Sequence, residues 1–175
     1  MAKKKNMKVM LYSNGIGPLE RKGNIKKTKK ILDKVDLITL RDERSYKTLH
    51  EIGIENKNVK VTADPALDLD IADEKLGKAI LKNEGVPSDK KLLGVSVRKW
   101  QNLGSDFETQ IANACDYAYE KYGYYTVFLP MQSSRDTAIM QNIKRKMKHE
   151  SAIIKKRYSD EGMLSIIKCF DMCIG

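Results

Sequence analysis

No apolar run in these 175 residues approaches the ~18 consecutive residues that a bilayer-spanning helix needs. Met1-Ala2-Lys3-Lys4-Lys5 is followed only by a short strand-like run, not by the apolar core of a secretion signal, so a cytoplasmic location is expected. Cysteine is scarce. Cys115, Cys169 and Cys173 are odd in number and sit in apolar patterns, which points to reduced, buried thiols instead of disulfides. Cys169 and Cys173 lack Cys-x-x-Cys spacing and a second ligand pair, so no metal site is expected. The two histidines, His50 and His149, lie in polar contexts with no Ser or Cys nucleophile placed near them, and no Ser/His/Asp or Cys/His arrangement is legible. Helix-turn-helix, zinc-finger and RNP signatures are missing as well.

What is present describes a folded chain. Hydrophobic residues make up 41% and charged residues 32%, a balance that can bury a core and excludes a disordered tail. The net charge of +10 is unevenly placed: residues 1–60 hold 16 Lys and Arg against 7 Asp and Glu, and the remainder is close to neutral. Part of this excess belongs to a helix expected over 22–34, with Ile25, Leu32 and Val35 as its buried stripe and Lys26, Lys27, Lys29 and Lys30 mostly outside it. A solvated helix face explains these lysines, and so does contact with anionic lipid headgroups or nucleic acid. No aromatic residues interleave with them, which weighs against nucleic acid.

Strand-like and helix-like patterns alternate along the chain. Strands are expected near 8–12, 37–41, 59–62, 92–98, 125–131, 151–155 and 170–175. Between them, Phe107, Ile111, Ala114, Ala118 and Tyr122 recur at helical spacing over 106–122, as do Ile139, Met140, Ile143 and Met147 over 135–147. Ser159 is the expected N-cap of a helix carrying Met163, Ile166, Ile167 and Phe170 on its apolar face. Short apolar strands buried on both sides and joined by amphipathic helices make an α/β fold, with Rossmann-like parallel sheets and crossover helices. The stretch 64–91 breaks the rhythm with Asp64-Pro65, then Asp68, Asp70, Asp73 and Glu74, then a helix ending near Gly85. The expected division is a first domain over 1–66, a linker with its helix over 67–91, and a second domain over 92–175.

Three expected strands run out into loops suited to anions: Ser13-Asn14-Gly15-Ile16-Gly17-Pro18, Thr62-Ala63-Asp64-Pro65 and Arg98-Lys99-Trp100. Ligands of α/β proteins gather at such strand ends. Asn14, Gly15 and Gly17 let the backbone turn sharply and bring N–H groups close to a ligand oxygen, although the run lacks the third glycine of a dinucleotide fingerprint. Arg41 and Arg98 end strands, where a guanidinium can grip a carboxylate or phosphate with two hydrogen bonds; a structural ion pair, with Asp42 or Glu43 in the case of Arg41, is the alternative for each. Asp64 either orients the cleft or forms the turn ahead of Pro65. Gln132, in Pro130-Met131-Gln132, ends another strand and lines the same expected cleft.

Taken in order, Ser-Asn-Gly-Ile-Gly-Pro (13–18), Leu-Ile-Thr-Leu-Arg-Asp-Glu-Arg-Ser (37–45), Val-Thr-Ala-Asp-Pro-Ala (61–66), Gly-Val-Ser-Val-Arg-Lys-Trp (94–100), Val-Phe-Leu-Pro-Met-Gln (127–132) and Asp-Met-Cys-Ile-Gly (171–175) resemble the polysaccharide pyruvyl transferase family, in particular its CsaB-type members. The resemblance covers nearly the whole chain. It implies a two-domain GT-B architecture with the active site between the domains, and transfer of an enolpyruvyl group from phosphoenolpyruvate to a sugar of a lipid-linked cell-wall polysaccharide precursor, such as an amino sugar. The products are a cyclic pyruvate ketal and phosphate. No cofactor beyond the donor substrate is implied, and no nucleic-acid partner.

The family pattern continues past the strand ending in Ile-Gly into a Met-Arg-Leu-His segment, whose His is taken as the general acid. It also has strands before the Asn-Gly-Ile-Gly-Pro loop. The resemblance thus implies that the acid lies beyond Gly175, that the chain is a fragment lacking both ends, and that by itself it is inactive. Within it, Arg98 is the first expectation for holding phosphoenolpyruvate and Arg41 the second. Two other readings stay open: a nucleotide-sugar glycosyltransferase on the same kind of fold, and a basic non-catalytic module that binds nucleic acid.

Overall fold

A computed structural model describes residues 2–69, 73–98 and 104–175, with the side chains of Lys4, Ser133 and Ser134 left aside. Asp70, Lys99 and Trp100, named above, lie outside the described residues. The chain divides into two units, Met1–Asp70 and Ile71–Gly175.

The first unit holds β1 (Met10–Asn14), α1 (Lys22–Leu32), β2 (Leu37–Leu40), α2 (Glu43–Glu51) and β3 (Val59–Val61), followed by a 3-10 turn over Pro65–Asp68. Its sheet is parallel in the order β1-β2-β3, with Leu11 opposite Ile38 and Ile38 opposite Val59. Successive parallel neighbours joined by right-handed crossovers place α1 and α2 on one face of that sheet. The core under them is Leu32, Val35, Ile38, Leu40, Leu49 and Ile54, with Val9, Leu11, Ile16 and Val59 packed at its margin. The expectation that every strand is buried on both sides fails here. β1 alternates exposed and half-buried residues, and Met10 and Tyr12 stand 49% and 65% exposed, because both helices cover the opposite face. Lys29 also departs from a solvated helix face. It donates to the Gly53 carbonyl and to Glu55 (3.0 Å), and its pairs with Glu55 and Asp33 raise its pKa.

The second unit begins with α3 (Glu74–Asn83), which falls inside the segment expected to link the domains and packs closely on α6. It continues with β4 (Lys91–Val95), α4 (Phe107–Tyr122), β5 (Tyr124–Phe128), α5 (Ser133–Lys146), β6 (Ser151–Ile153), α6 (Asp160–Lys168) and β7 (Met172–Ile174). All four strands are parallel, in the order β6-β5-β4-β7. The period-2 alternation of side chains sorts the core into two layers. Leu92, Tyr125, Val127, Leu129, Ala152 and Ile154 meet Ile80, Leu81 and Ile166 of α3 and α6. Leu93, Val95, Val97 and Phe128 meet Ala112, Cys115, Ile139, Met140 and Ile143 of α4 and α5. The sheet is therefore covered on both faces, as its apolar strands require.

Local chemistry sets the boundaries of these elements. Ser159 caps α6 by accepting from the Gly162 N–H (3.2 Å), as the sequence predicts, and Gly123 ends α4 in a left-handed conformation with φ +74°. Asp73 caps α3 by accepting from the Lys75 N–H (2.8 Å). Of the three thiols expected to be buried, only Cys115 is; Cys169, the C-cap of α6, is partly exposed, and Cys173 is exposed on β7, an edge strand among the described residues. Among the described residues no helix is long and apolar enough to cross a membrane.

Candidate functional site

Chain order in the second sheet runs β4 to β5 to β6 in one direction, then returns to place β7 on the other side of β4. The direction of winding reverses between β4 and β7: α4, which follows β4, packs on one face of the sheet, and α6, which leads into β7, packs on the other. Such a switch point opens a crevice at the carboxyl ends of the strands, the recurrent ligand position of open parallel sheets. Ser96 holds the two strands together there by donating its N–H to the Ile174 carbonyl (2.8 Å). Arg98 leaves β4 at this edge.

The Arg98 side chain is half exposed, and its Nε donates to Oδ1 of Asp136 at 3.3 Å. Asp136 itself is 2% exposed and belongs to the first turns of α5, where its other oxygen accepts the Gln132 N–H (2.6 Å). A carboxylate at the start of a helix also lies at the positive end of the helix dipole. Thus two residues expected in the site, Arg98 and Gln132, are tied together by a third that the sequence reading missed. Its signal was an acidic residue four positions after the helix entry, reaching back to the N-cap as in a capping box.

In the first unit Asn14, Gly15, Gly17, Arg41 and Asp64 come together at the carboxyl end of the sheet. Arg41 follows β2, donates its backbone N–H to the Asn14 carbonyl (3.3 Å), and pairs through Nη1 with Asp64 (3.2 Å) and through Nε with Asp42 (3.6 Å). Its guanidinium lies so near Gly15 that a Cβ there would stand 2.8 Å from Nε. Gly17 has φ +119°, a conformation that favours glycine. Asp64 also accepts the Ala66 N–H (3.1 Å) at the 3-10 turn beginning at Pro65, so it forms the turn and holds Arg41 at once.

The loop after β1 is fixed by hydroxyl groups. Ser13 takes a left-handed φ of +45°, donates its N–H to Thr39 Oγ1 (2.7 Å) and its hydroxyl to the Ala63 carbonyl (2.9 Å), and lies 3.1 Å from Thr62 Oγ1. For a residue with a Cβ this backbone costs on the order of 1–3 kcal/mol, and the hydroxyl network over-determines it. Ser45, 2% exposed, accepts the Ile16 N–H through its hydroxyl (2.8 Å) and donates its own N–H to Asp42 (2.6 Å), the N-cap of α2. That cap, the Ser45 N–H first among its causes, lowers the Asp42 pKa.

Between this loop and α2 runs a groove of about 580 Å³. Arg41, Arg44 and Lys47 line it together with Glu20, Asp42 and Glu51. Three cations against three anions leave no excess for a phosphate. Arg41 moreover faces two carboxylates already, whereas Arg98 shares one and keeps its two terminal nitrogens without a partner among the described residues. For gripping an anion, Arg98 is the better disposed of the two.

The histidines stand elsewhere. His50 lies in the last turn of α2 against Tyr46, and His149 stacks on Tyr119 and meets Glu120 (3.1 Å) just before β6. Both positions are at the amino ends of the strands, opposite the arginines.

A family model described as polysaccharide pyruvyl transferase matches residues 1–175. No curated protein matches the chain. Among solved structures, the wall teichoic acid polymerase TagF is similar at 12% identity with a TM-score of 0.48. The likeness covers 95% of this chain and 40% of that one, so the chain spans less than half the length of the structure it matches.

Proposed function

This chain belongs to the polysaccharide pyruvyl transferase family, and we propose that the intact gene product transfers the pyruvyl unit of phosphoenolpyruvate to a sugar of a lipid-linked cell-wall precursor. Phosphoenolpyruvate carries a phosphate and a carboxylate, so its site needs fixed cations, and guanidinium forks at strand ends supply them. In the reaction one sugar hydroxyl adds to the phosphate-bearing enol carbon while a proton goes to the methylene carbon. A second hydroxyl of the same sugar then displaces phosphate, leaving the cyclic ketal. The stages require an acid for the methylene carbon and a base for each hydroxyl.

The observation that carries this reading is the placement of Arg98 at the switch point of the second sheet, in a chain whose whole length matches the family. Arg98 is assigned to the phosphate or carboxylate of the donor, with Gln132 beside it, and Arg41 with Asn14, Gly15, Gly17 and Asp64 to a secondary role in the first unit. The acceptor requires access to the inner face of the cell membrane, and Lys26, Lys27 and Lys30 on α1 suit peripheral contact with anionic lipid there. Arg98→Ala should lower kcat/KM for phosphoenolpyruvate by about 30-fold or more, about 2 kcal/mol of transition-state stabilisation, since a desolvated anion loses a charge-assisted fork, and Arg98→Lys should not restore it fully. An unchanged kcat/KM in the alanine variant would remove Arg98 from the site.

A further inference from the structure

We propose that Asp136 is the positioning residue of this site: its buried carboxylate fixes the Arg98 guanidinium with one edge turned to the donor anion. This inference rests on the reading of Arg98 as an anion-binding group. Arginine presents its donors along two edges of a planar fork. Asp136 takes Nε through Oδ1 at 3.3 Å, and among the described residues no other partner meets the edge between the two terminal nitrogens, the edge suited to a bidentate carboxylate or phosphate.

The asymmetry of exposure decides which partner serves the other. The Arg98 side chain is 50% exposed and Asp136 only 2%, so the carboxylate is part of the core wall and the guanidinium is the group presented outward. An exposed ion pair would have little directing effect, because long side chains lose entropy on being held and water screens the charges. A buried anchor held from a second side does direct. Oδ2 of Asp136 accepts the Gln132 N–H at 2.6 Å, and the Asp136 N–H donates to the Gln132 carbonyl at 3.0 Å. One carboxylate thereby fixes the loop leaving β4 relative to the turn between β5 and α5, the two segments that bring Arg98 and Gln132 to the carboxyl end of the sheet.

Asp136→Asn separates these duties with little change of shape. Arg98 Nε and the Gln132 N–H meet different oxygens of Asp136, and in asparagine one of those two positions becomes an NH2 that donates and cannot accept, so one of the two bonds is lost. Calorimetric titration of phosphoenolpyruvate into four forms of the protein tests the assignment: parent, Arg98→Ala, Asp136→Asn and the double variant. Freeing one ordered side chain should weaken binding in Asp136→Asn by about 3- to 10-fold, and removing the fork in Arg98→Ala should weaken it by about 30-fold or more. If Asp136 acts through Arg98, the asparagine substitution should change affinity by less than about twofold once residue 98 is alanine.

An Asp136→Asn effect of equal size in both backgrounds would show a structural role and overturn the proposal. So would no effect in the parent while Arg98→Ala still cripples binding, in which case the assignment of Arg98 stands. An Arg98→Ala variant that binds as tightly as the parent would overturn the reading of Arg98, and this inference with it.

Discussion

Gly77 is a point in the second unit where a side chain would meet the backbone of a neighbouring helix, and Gly77→Ala tests that packing. A Cβ at that position in α3 would stand 2.1 Å from the Ser165 carbonyl oxygen, 2.6 Å from Cys169 Sγ and 2.7 Å from the Ser165 carbonyl carbon. Ordinary contact begins near 3.4 Å, so about 1.3 Å must be gained, and the obstacle is the backbone of α6. A flexible side-chain tip could turn aside; a helix backbone moves only with its whole helix. Two effects oppose each other. Alanine in a helix interior gains up to about 1 kcal/mol over glycine, while overpacking a well-filled contact costs about 1–3 kcal/mol. Separating α3 from α6 also loosens the buried layer of Ile80, Leu81 and Ile166, at about 0.8 kcal/mol per methylene returned to water. The net expectation is a loss of about 1–2 kcal/mol. Gly23→Ala in α1 has nothing within 4 Å of its Cβ and should instead stabilise, by a few tenths to about 1 kcal/mol. Urea unfolding read by hydrogen exchange of separate peptides follows α3 and α6 apart from α1. If Gly77→Ala is as stable as the parent, the close crossing of α3 on α6 is wrong.

Two further outcomes are expected. The Asp36 pKa is lowered from 3.8 to about 2, by the Lys3 hydrogen bond first and the Val9 N–H second. Its folded value lies below the unfolded one, so its contribution is present above pH 3.8 and is lost as pH falls through about 2; Asp36→Asn should flatten the acid limb of stability of residues 1–70 in that window, and an acid limb of unchanged slope would contradict it. For the lysines, binding to vesicles rich in anionic lipid should fall steeply with salt. Reversing Lys26 and Lys30 to Glu should weaken it by at least about 2 kcal/mol, at roughly 1 kcal/mol per lysine removed. Equal binding to neutral vesicles would leave these lysines as ordinary surface.

The fold was legible because its strands are apolar and its helices amphipathic. All seven strands fall at or near their predicted positions, and the Ser159 cap was readable from its own residue and the acidic first turn behind it. Helix α2 was not singled out. Arg41-Asp42-Glu43-Arg44 looks like a polar strand-end loop, and only Tyr46 and Leu49 give the segment a face; the usable signal was Asp42 three residues before the buried Ser45. The exposed face of β1 was missed for a different reason. Which side a crossover helix covers depends on the order of strands in the sheet, and no local pattern encodes that order. In the same way the residues ending strands could be named as candidates, yet Asp136 could not. Its partner Arg98 lies 38 positions away, and only the folded sheet brings them together.

The central claim is that this protein recognises phosphoenolpyruvate through Arg98, and titration of three ligands into the same protein tests it most directly. Phosphoenolpyruvate, a UDP-sugar and duplex DNA stand for a pyruvyl transferase, a glycosyltransferase and a basic nucleic-acid module. The account predicts saturable binding of phosphoenolpyruvate that weakens sharply in Arg98→Ala, with no saturable binding of the other two. Saturable binding of the UDP-sugar or the duplex, with none of phosphoenolpyruvate, would contradict it.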